Sequence, residues 1–152
     1  MNTFMKRIAP FLMVLVVLGC SKDHTPEDVV KRIALPISAD QEVPAKNSTG
    51  SGSADVYYNK VTHMLTFTMT WQNISDIPTG AHIHGPAARG ANAGIKYDFF
   101  SAFPKTASGT FSSEVLVDGS KIDEAQLLAG MYYFNIHTKN NPGGEIRGQI
   151  EF

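Results

Sequence analysis

Between residues 65 and 71 the chain alternates strictly between apolar side chains and threonines. Successive side chains of a β-strand point to opposite faces, so this period of two predicts a strand with one face in the core. The predicted buried residues are Leu65, Phe67, Met69 and Trp71. Residues 54–58 alternate in the same way, and the Asn59-Lys60 turn between the two segments predicts a β-hairpin.

Further short segments rich in β-formers are separated by turns that contain Gly, Pro and Asn. They predict strands over residues 33–38, 81–84, 95–103, 108–117, 131–138 and 145–152. Pro36 restricts the first of them to a sheet edge or a bulge. One helix is expected from Lys121 to Ala129, with a capping box at 120–123 and Gly130 at its end. Roughly seven or eight strands of this kind predict an all-β fold, an antiparallel β-sandwich or Greek-key barrel.

The first 19 residues have the features of a signal peptide. Lys6 and Arg7 supply the positive charge, and the apolar run over residues 8–18 is too short to span a bilayer. The run leads to Cys20, the only cysteine, so the chain can form no internal disulfide. Residues 17–20 resemble a bacterial lipoprotein signal, in which Cys20 becomes the lipidated first residue. We expect a signal peptide at 1–19, a polar tether at 20–31 and one folded domain at 32–152.

Lipidation of Cys20 predicts an anchored protein of the bacterial cell envelope. Each buried CH₂ group contributes about 0.8 kcal/mol, so a multiply acylated cysteine holds a domain firmly at a membrane. Serine rather than aspartate at position 21 resembles sorting to the outer membrane, facing the periplasm or the cell surface. Without the first 19 residues the chain keeps 11 basic and 14 acidic residues. Nucleic acid is therefore not an expected partner, because phosphate binding needs a clustered basic surface.

The candidate functional residues are three histidines. His82 and His84 are two positions apart in one predicted strand, so they share a face opposite its apolar residues. His137 lies in a second strand, on the face opposite Phe134 and Ile136. We therefore expect all three side chains to point away from the core. They converge on one exterior face only if the two strands are neighbours in register, which no sequence signal fixes.

Three converging imidazoles are a candidate metal site. Neutral imidazole suits Cu, Zn, Ni and Fe, and Cu(II) has the highest intrinsic affinity among the divalent ions. The motif contains no thiolate or thioether, so neither a structural zinc cage nor a blue-copper centre is indicated. Alternatively, the histidines only brace the glycine-rich loop 85–94 by bonding to its backbone. The sequence leaves both interpretations open.

Other polar residues are expected to have supporting roles. Arg147 points the same way as His137 in a regular hairpin, and its guanidinium would hold an anion or the glycine-rich loop. The alternative is a surface ion pair with Glu145 or Glu151. Glu42 is expected to order a bulge or loop, with a metal ligand as the minor alternative. His63 is expected to be a packing or strand-end residue.

Three motifs in this order resemble the chordin-type domain, called CHRD. They are Glu42-Val43-Pro44, the segment 81–87, and His137-Thr138 with the segment 142–149. The resemblance covers residues from about 33 to 152 and is shared, more distantly, with copper/zinc superoxide dismutases. It implies an immunoglobulin-like, superoxide-dismutase-like Greek-key β-sandwich with a suspected metal site. The long zinc loop and the disulfide of the dismutases are missing from this sequence, so dismutase activity is not expected.

The expected function is that of a membrane-anchored, non-catalytic binding module. Its partner would be a copper or zinc ion at His82, His84 and His137, or an extracellular protein. Two alternatives stay open: a copper-dependent oxidoreductase at the same histidines, and a protein-interaction domain that needs no metal. No serine nucleophile motif, paired acid site, phosphate loop or dinucleotide fingerprint points to another class of enzyme.

Overall fold

The computed structural model describes residues 28–152, which contain eight strands, one 3₁₀ turn and one short α-helix. The strands are β1 (Val29–Ser38), β2 (Ser51–Asn59), β3 (Met64–Gln72), β4 (Pro78–His84), β5 (Ile95–Asp98), β6 (Gly109–Leu116), β7 (Tyr132–Thr138) and β8 (Ile146–Ile150). The 3₁₀ turn, Ala39–Gln41, follows β1, and helix α1, Glu124–Leu128, precedes β7. The predicted signal peptide, Cys20 and most of the predicted tether lie outside the described residues.

All eight strands belong to one antiparallel sheet, in the order β5-β4-β7-β8-β1-β2-β3-β6. The sheet curves until it is nearly closed into a barrel. Its edge strands meet through Tyr97 of β5, whose hydroxyl lies 3.2 Å from Ser113 Oγ and 3.2 Å from the Glu114 carbonyl oxygen on β6. The predicted all-β antiparallel class with one short helix is confirmed. Within residues 28–152, no helix is long and apolar enough to cross a membrane.

The apolar face of β3 lies in the core, as the alternation predicts. Leu65 and Met69 are fully buried, and Phe67 and Trp71 are 2% exposed. Trp71 stacks on Phe103 with 4.3 Å between ring centroids and donates its indole N–H to the Thr106 carbonyl. The threonines between these residues face solvent. The interior of the barrel is therefore filled by side chains rather than left open to a ligand.

The first strand differs from its prediction. It begins at Val29, before the predicted domain boundary at residue 32, and lies inside the sheet between β2 and β8. The ladder shifts register between Arg32 and Leu35, where Ala34 has a φ of 51° and donates its N–H to Asp55 Oδ1 at 2.8 Å. A bulge is thus present, although not at Pro36, which stays paired with β2.

Helix α1 is shorter than predicted and begins later. Its N-cap is Asp123, whose carboxylate accepts the N–H of Gln126. Ser120 is not a cap, because its own N–H and that of Lys121 are donated to Asp118 Oδ1 in the preceding turn. The helix ends before Gly130, which has a φ of 73° and so occupies the left-handed region that favours glycine.

Candidate metal centre

The three candidate histidines lie on neighbouring strands. β4 pairs with β7 so that Gly80 is opposite His137, His82 is opposite Asn135, and His84 is opposite Tyr133. Side chains directly opposite one another in an antiparallel ladder point to the same face. His82, His84 and His137 therefore share the face of the sheet that is turned away from the core, as their parity predicts.

The imidazole rings are close enough to share one ion. Their centroids are 4.8 Å apart for His82 and His137, 5.4 Å for His82 and His84, and 5.7 Å for His84 and His137. One nitrogen from each ring lies within 4.8 Å of the others. Nitrogens bound to one ion at about 2.0 Å are about 3.3 to 3.5 Å apart, so each ring needs to move by less than about 1 Å.

Each ring has an acceptor near its outer nitrogen. His84 Nδ1 lies 2.9 Å from the Ala93 carbonyl oxygen, and His137 Nδ1 lies 3.0 Å from that of Pro142. Because a carbonyl oxygen can only accept, these contacts place the ring proton on Nδ1 of both histidines. His82 has its Nε2 3.8 Å from the Asp98 carboxylate, which favours a proton on that nitrogen.

The inner nitrogens are left with their lone pairs. His82 Nδ1, His84 Nε2 and His137 Nε2 are buried and have no hydrogen-bond partner. Most buried polar atoms in folded proteins are paired, so three orphaned nitrogens in one cluster require an explanation. Backbone carbonyls and carboxylates that hold the outer nitrogen of a histidine are also the usual second partners of metal-binding imidazoles.

The histidines are covered, which differs from the open exterior face expected from the sequence. His84 is only 8% exposed, and the side chain of His82 is 12% exposed. The backbone of the glycine-rich loop and that of the turn before β8 lie against the rings, since they supply the Ala93 and Pro142 carbonyls. The sequence showed which face the rings occupy but not that loops would fold over it.

Burial also determines the charge of the cluster. It lowers the pKa of His82 to about 4, with further lowering by His137 and His84 and an opposing effect of Asp98. Burial likewise lowers the pKa of His84 and of His137. All three rings are therefore neutral at neutral pH, which is the form that binds a metal ion.

Gly80 makes room for the cluster and was missed in the sequence. A Cβ atom at this position would lie 2.8 Å from His82 Cε1 and 3.3 Å from His137 Cδ2. Any larger residue would therefore push the two rings apart. The available signal was its position two residues before His82, which puts it on the same face as the histidines.

Arg147 is buried in a stack beside the histidines. It is 1% exposed, and its guanidinium lies 3.4 Å from the centroid of the Tyr133 ring. Tyr133 in turn stacks on His84, with 5.1 Å between centroids and 8° between ring planes. The suggested surface pairs of Arg147 with Glu145 or Glu151 do not form. Arg147 instead donates to Asn92 Oδ1 of the glycine-rich loop at 3.3 Å and to Gln149 Oε1 at 3.0 Å.

Tyr133 and His84 hold the same loop residue. The Tyr133 hydroxyl accepts the N–H of Ala93 at 3.0 Å, while the carbonyl of Ala93 accepts from His84. With the bond from Arg147 to Asn92, these contacts tie the glycine-rich loop to β4, β7 and β8. The loop-holding role suggested for Arg147 agrees with this geometry.

The two glutamates have separate environments. Glu42 is 5% exposed and accepts a hydrogen bond from Asn135, and burial raises the pKa of its carboxyl group. It lines a cavity of about 260 Å³ beside Arg147 rather than the histidine cluster. Glu42 thus orders the segment after the 3₁₀ turn, and the cluster of possible metal ligands consists of the three histidines without it.

Glu145 is fully buried and links two loops to the end of β7. Its carboxylate accepts from Ser48 Oγ at 2.5 Å, Thr138 Oγ1 at 2.5 Å, and the N–H and hydroxyl of Ser75 at 2.7 Å each. Burial alone would raise the pKa of Glu145, but these hydrogen bonds outweigh it and hold the pKa below its ordinary value.

His63 is separate from the cluster. It is exposed in the turn before β3, has a φ of 56°, and places Nδ1 3.1 Å from the Tyr58 hydroxyl. This agrees with the expected strand-end role.

Comparison with protein families supports a family assignment. The family model described as the CHRD domain matches residues 33–150, from within β1 to the end of β8. No curated protein and no solved structure matches the chain. The matched segment contains the three histidines, the glycine-rich loop and the buried Arg147. The chain belongs to the CHRD domain family.

Proposed function

We propose that this CHRD-domain protein is a lipid-anchored, non-catalytic binding module of the bacterial cell envelope that holds a copper or zinc ion through His82, His84 and His137. The supporting observation is that each of the three histidines has a buried ring nitrogen without a hydrogen-bond partner, and that each offers one nitrogen within 4.8 Å of the others. An ion shared by the lone pairs supplies the missing partner for each nitrogen.

The arrangement supports binding over catalysis. An enzyme needs an open coordination position and space for a substrate beside the metal, whereas a carrier or structural site can be closed. Here the ligand nitrogens are buried beneath two loops. The cavity of about 260 Å³ beside Arg147 is lined by residues of the 3₁₀ turn and the segment after it, of the glycine-rich loop and of β8, and none of them is a histidine.

Calorimetry tests the proposal. The mature chain, purified without a histidine tag, should bind one Cu(II) or Zn(II) ion, and a His82→Ala/His137→Ala protein should lose the binding. His63→Ala is the matched control, because it removes an exposed histidine outside the cluster. Equal uptake by wild type and the double variant, or no uptake by either, would assign the histidines to bracing the loop and favour a metal-free interaction domain.

The anchor has an independent test. The apolar run that leads to Gly19-Cys20 supports lipidation, and a polar segment follows the cysteine. Cells grown with a tagged fatty acid should label the wild-type protein in the membrane fraction and leave Cys20→Ser unlabelled. Labelling of the Cys20→Ser protein would contradict the assignment.

A further inference from the structure

The number of ligands that the site can offer determines which ion it prefers. Among residues 28–152, His82, His84 and His137 lie close enough together to share an ion, and each can contribute one nitrogen. Imidazole is an acceptable donor for zinc and for copper, so the donor type does not distinguish them. The coordination number does, because these ions differ in how many ligands they require.

The nearest carboxylate is not placed to be a fourth ligand. Asp98 faces His82 across the ladder between β4 and β5, but its oxygen lies 3.8 Å from Nε2, the outer nitrogen of the ring. The inner nitrogen, Nδ1, is on the opposite side of the imidazole. The Asp98 side chain is also 62% exposed, so it points to solvent rather than into the cluster.

Solvent is also kept from the fourth position. A water molecule that completed the coordination would have to reach the region of the inner nitrogens His82 Nδ1, His84 Nε2 and His137 Nε2. Each of these atoms is buried, so the surrounding atoms leave solvent no access to them. The Tyr133 ring stacks flat on His84, and the Ala93 and Pro142 carbonyls hold the loops that cover His84 and His137.

A closed site with three nitrogens suits a cuprous ion. Zn(II) in proteins is almost always bound by four ligands in a tetrahedron, and Cu(II) prefers four ligands in a tetragonal arrangement. Cu(I) has a filled d shell, gains no energy from a tetragonal field, and is stable with three ligands in a plane. We infer that the three-histidine site binds Cu(I) in preference to Cu(II) and Zn(II), an inference that rests on the metal site proposed above.

Competition with a chromophoric Cu(I) chelator under anaerobic conditions measures the Cu(I) affinity of the mature chain. Parallel titrations in air measure the affinities for Cu(II) and Zn(II). We expect one Cu(I) per chain, held at least about 100-fold more tightly than Cu(II). This ratio raises the reduction potential of the bound couple by about 120 mV relative to the free ion.

Three variants keep the test informative. His82→Ala/His137→Ala should weaken Cu(I) binding by at least about 100-fold, while His63→Ala should leave it unchanged. Gly80→Ala keeps every ligand but places a Cβ atom 2.8 Å from His82 Cε1, so it should weaken Cu(I) binding by about 10-fold or more. Circular dichroism of each variant confirms that a loss of binding is not a loss of folding.

The outcomes separate this inference from the proposed function. Zn(II) or Cu(II) bound through the same histidines at least as tightly as Cu(I) would overturn the inference and leave the proposed metal site standing. Binding of no ion would overturn both. Tight Cu(I) binding that survives in the folded double variant would place the ion elsewhere and also overturn both.

Discussion

In the part of the barrel formed by β2 and β3, the side chains that point outward include a row of threonines in contact with solvent. In β7 and β8 nearly every residue is buried, so the outward face is covered as well as the inward one. The covered face carries Tyr133, Asn135, His137, Arg147 and Gln149.

The difference indicates what each region does. A solvated outer face needs only polar residues, and its details are free to vary. A buried outer face must satisfy each polar group with a specific partner, because an unpaired one costs about 1 to 3 kcal/mol. The arginine, asparagine and glutamine of this face have such partners, whereas the inner nitrogens of the histidines have none. The comparison therefore separates the scaffold from the candidate site.

The largest effect is expected in the scaffold. Trp71→Ala removes a ring that is 2% exposed and stacked on Phe103, and it should lower the free energy of unfolding by about 3 to 5 kcal/mol. Denaturant unfolding measures the loss. Thr68→Ala on the solvated face of the same strand is the control; it removes an exposed 2.8 Å hydrogen bond to Ser112 and should lower stability by about 1 kcal/mol or less. A comparable loss in both variants would contradict the proposed difference between the two faces.

Glu145→Gln tests the buried carboxylate with a nearly isosteric change. It removes the charge that four hydrogen bonds share, so we expect a loss of about 2 to 3 kcal/mol at pH 7. The folded pKa is lowered, so this stabilisation is present above the unfolded pKa and is lost as the pH falls through the folded one. The stability gap between wild type and variant should therefore narrow below about pH 4.5. A gap independent of pH would contradict the role of the charge.

The histidine cluster should make the metal-free protein sensitive to acid. Burial keeps the pKa of His82 at about 4, whereas an unfolded histidine takes up a proton near pH 6.5. Because the unfolded chain binds protons first, stability should fall by about 1 to 2 kcal/mol as the pH drops from 7 to 4.5, after allowance for partial exposure of the ring. Urea unfolding of wild type and His82→Asn at both pH values measures this loss of stability, which should be smaller in the variant. His63→Asn should retain it; an unchanged slope in His82→Asn would argue against a buried neutral ring.

The smallest expected effect is the difference in stability between substitutions of the buried Arg147 and the exposed Arg89. Arg147→Lys keeps the charge but loses the planar stack on Tyr133 and the paired donors, so we expect a loss of about 1 to 2 kcal/mol. Arg89→Lys changes an exposed pair with Glu151 and should cost about 0 to 1 kcal/mol. Thermal unfolding of both variants makes the comparison. A larger effect at Arg89 would show that the covered face is not the more constrained one.

The sequence predicted those features that depend on alternation. The period of two in β3 placed Leu65, Phe67, Met69 and Trp71 in the core. The same parity put His82, His84 and His137 on the opposite face of their strands. Both inferences need only the direction of side chains along a strand, which the backbone geometry fixes locally.

Features that depend on tertiary contacts could not be predicted in this way. The neighbouring positions of β4 and β7 follow from the order of the whole sheet. The acceptors of His84 and His137 are backbone carbonyls of loop residues, and their side chains carry no signal for this role. Arg147 was expected either at the surface or near the loop, because alternation cannot show that a loop covers an outward face. The predicted start of the helix at Lys121 was wrong because Ser120, the expected cap, donates its N–H to Asp118 in a turn.

A crystal structure of the mature protein loaded with copper under anaerobic conditions, with anomalous diffraction at the copper edge, tests the central claim most directly. We predict one anomalous peak about 2.0 Å from His82 Nδ1, His84 Nε2 and His137 Nε2, with Ala93 and Pro142 still bonded to the outer nitrogens of their histidines. A peak bound through the opposite ring nitrogens, a peak elsewhere on the chain, or an empty cluster in a copper-loaded crystal would contradict the account.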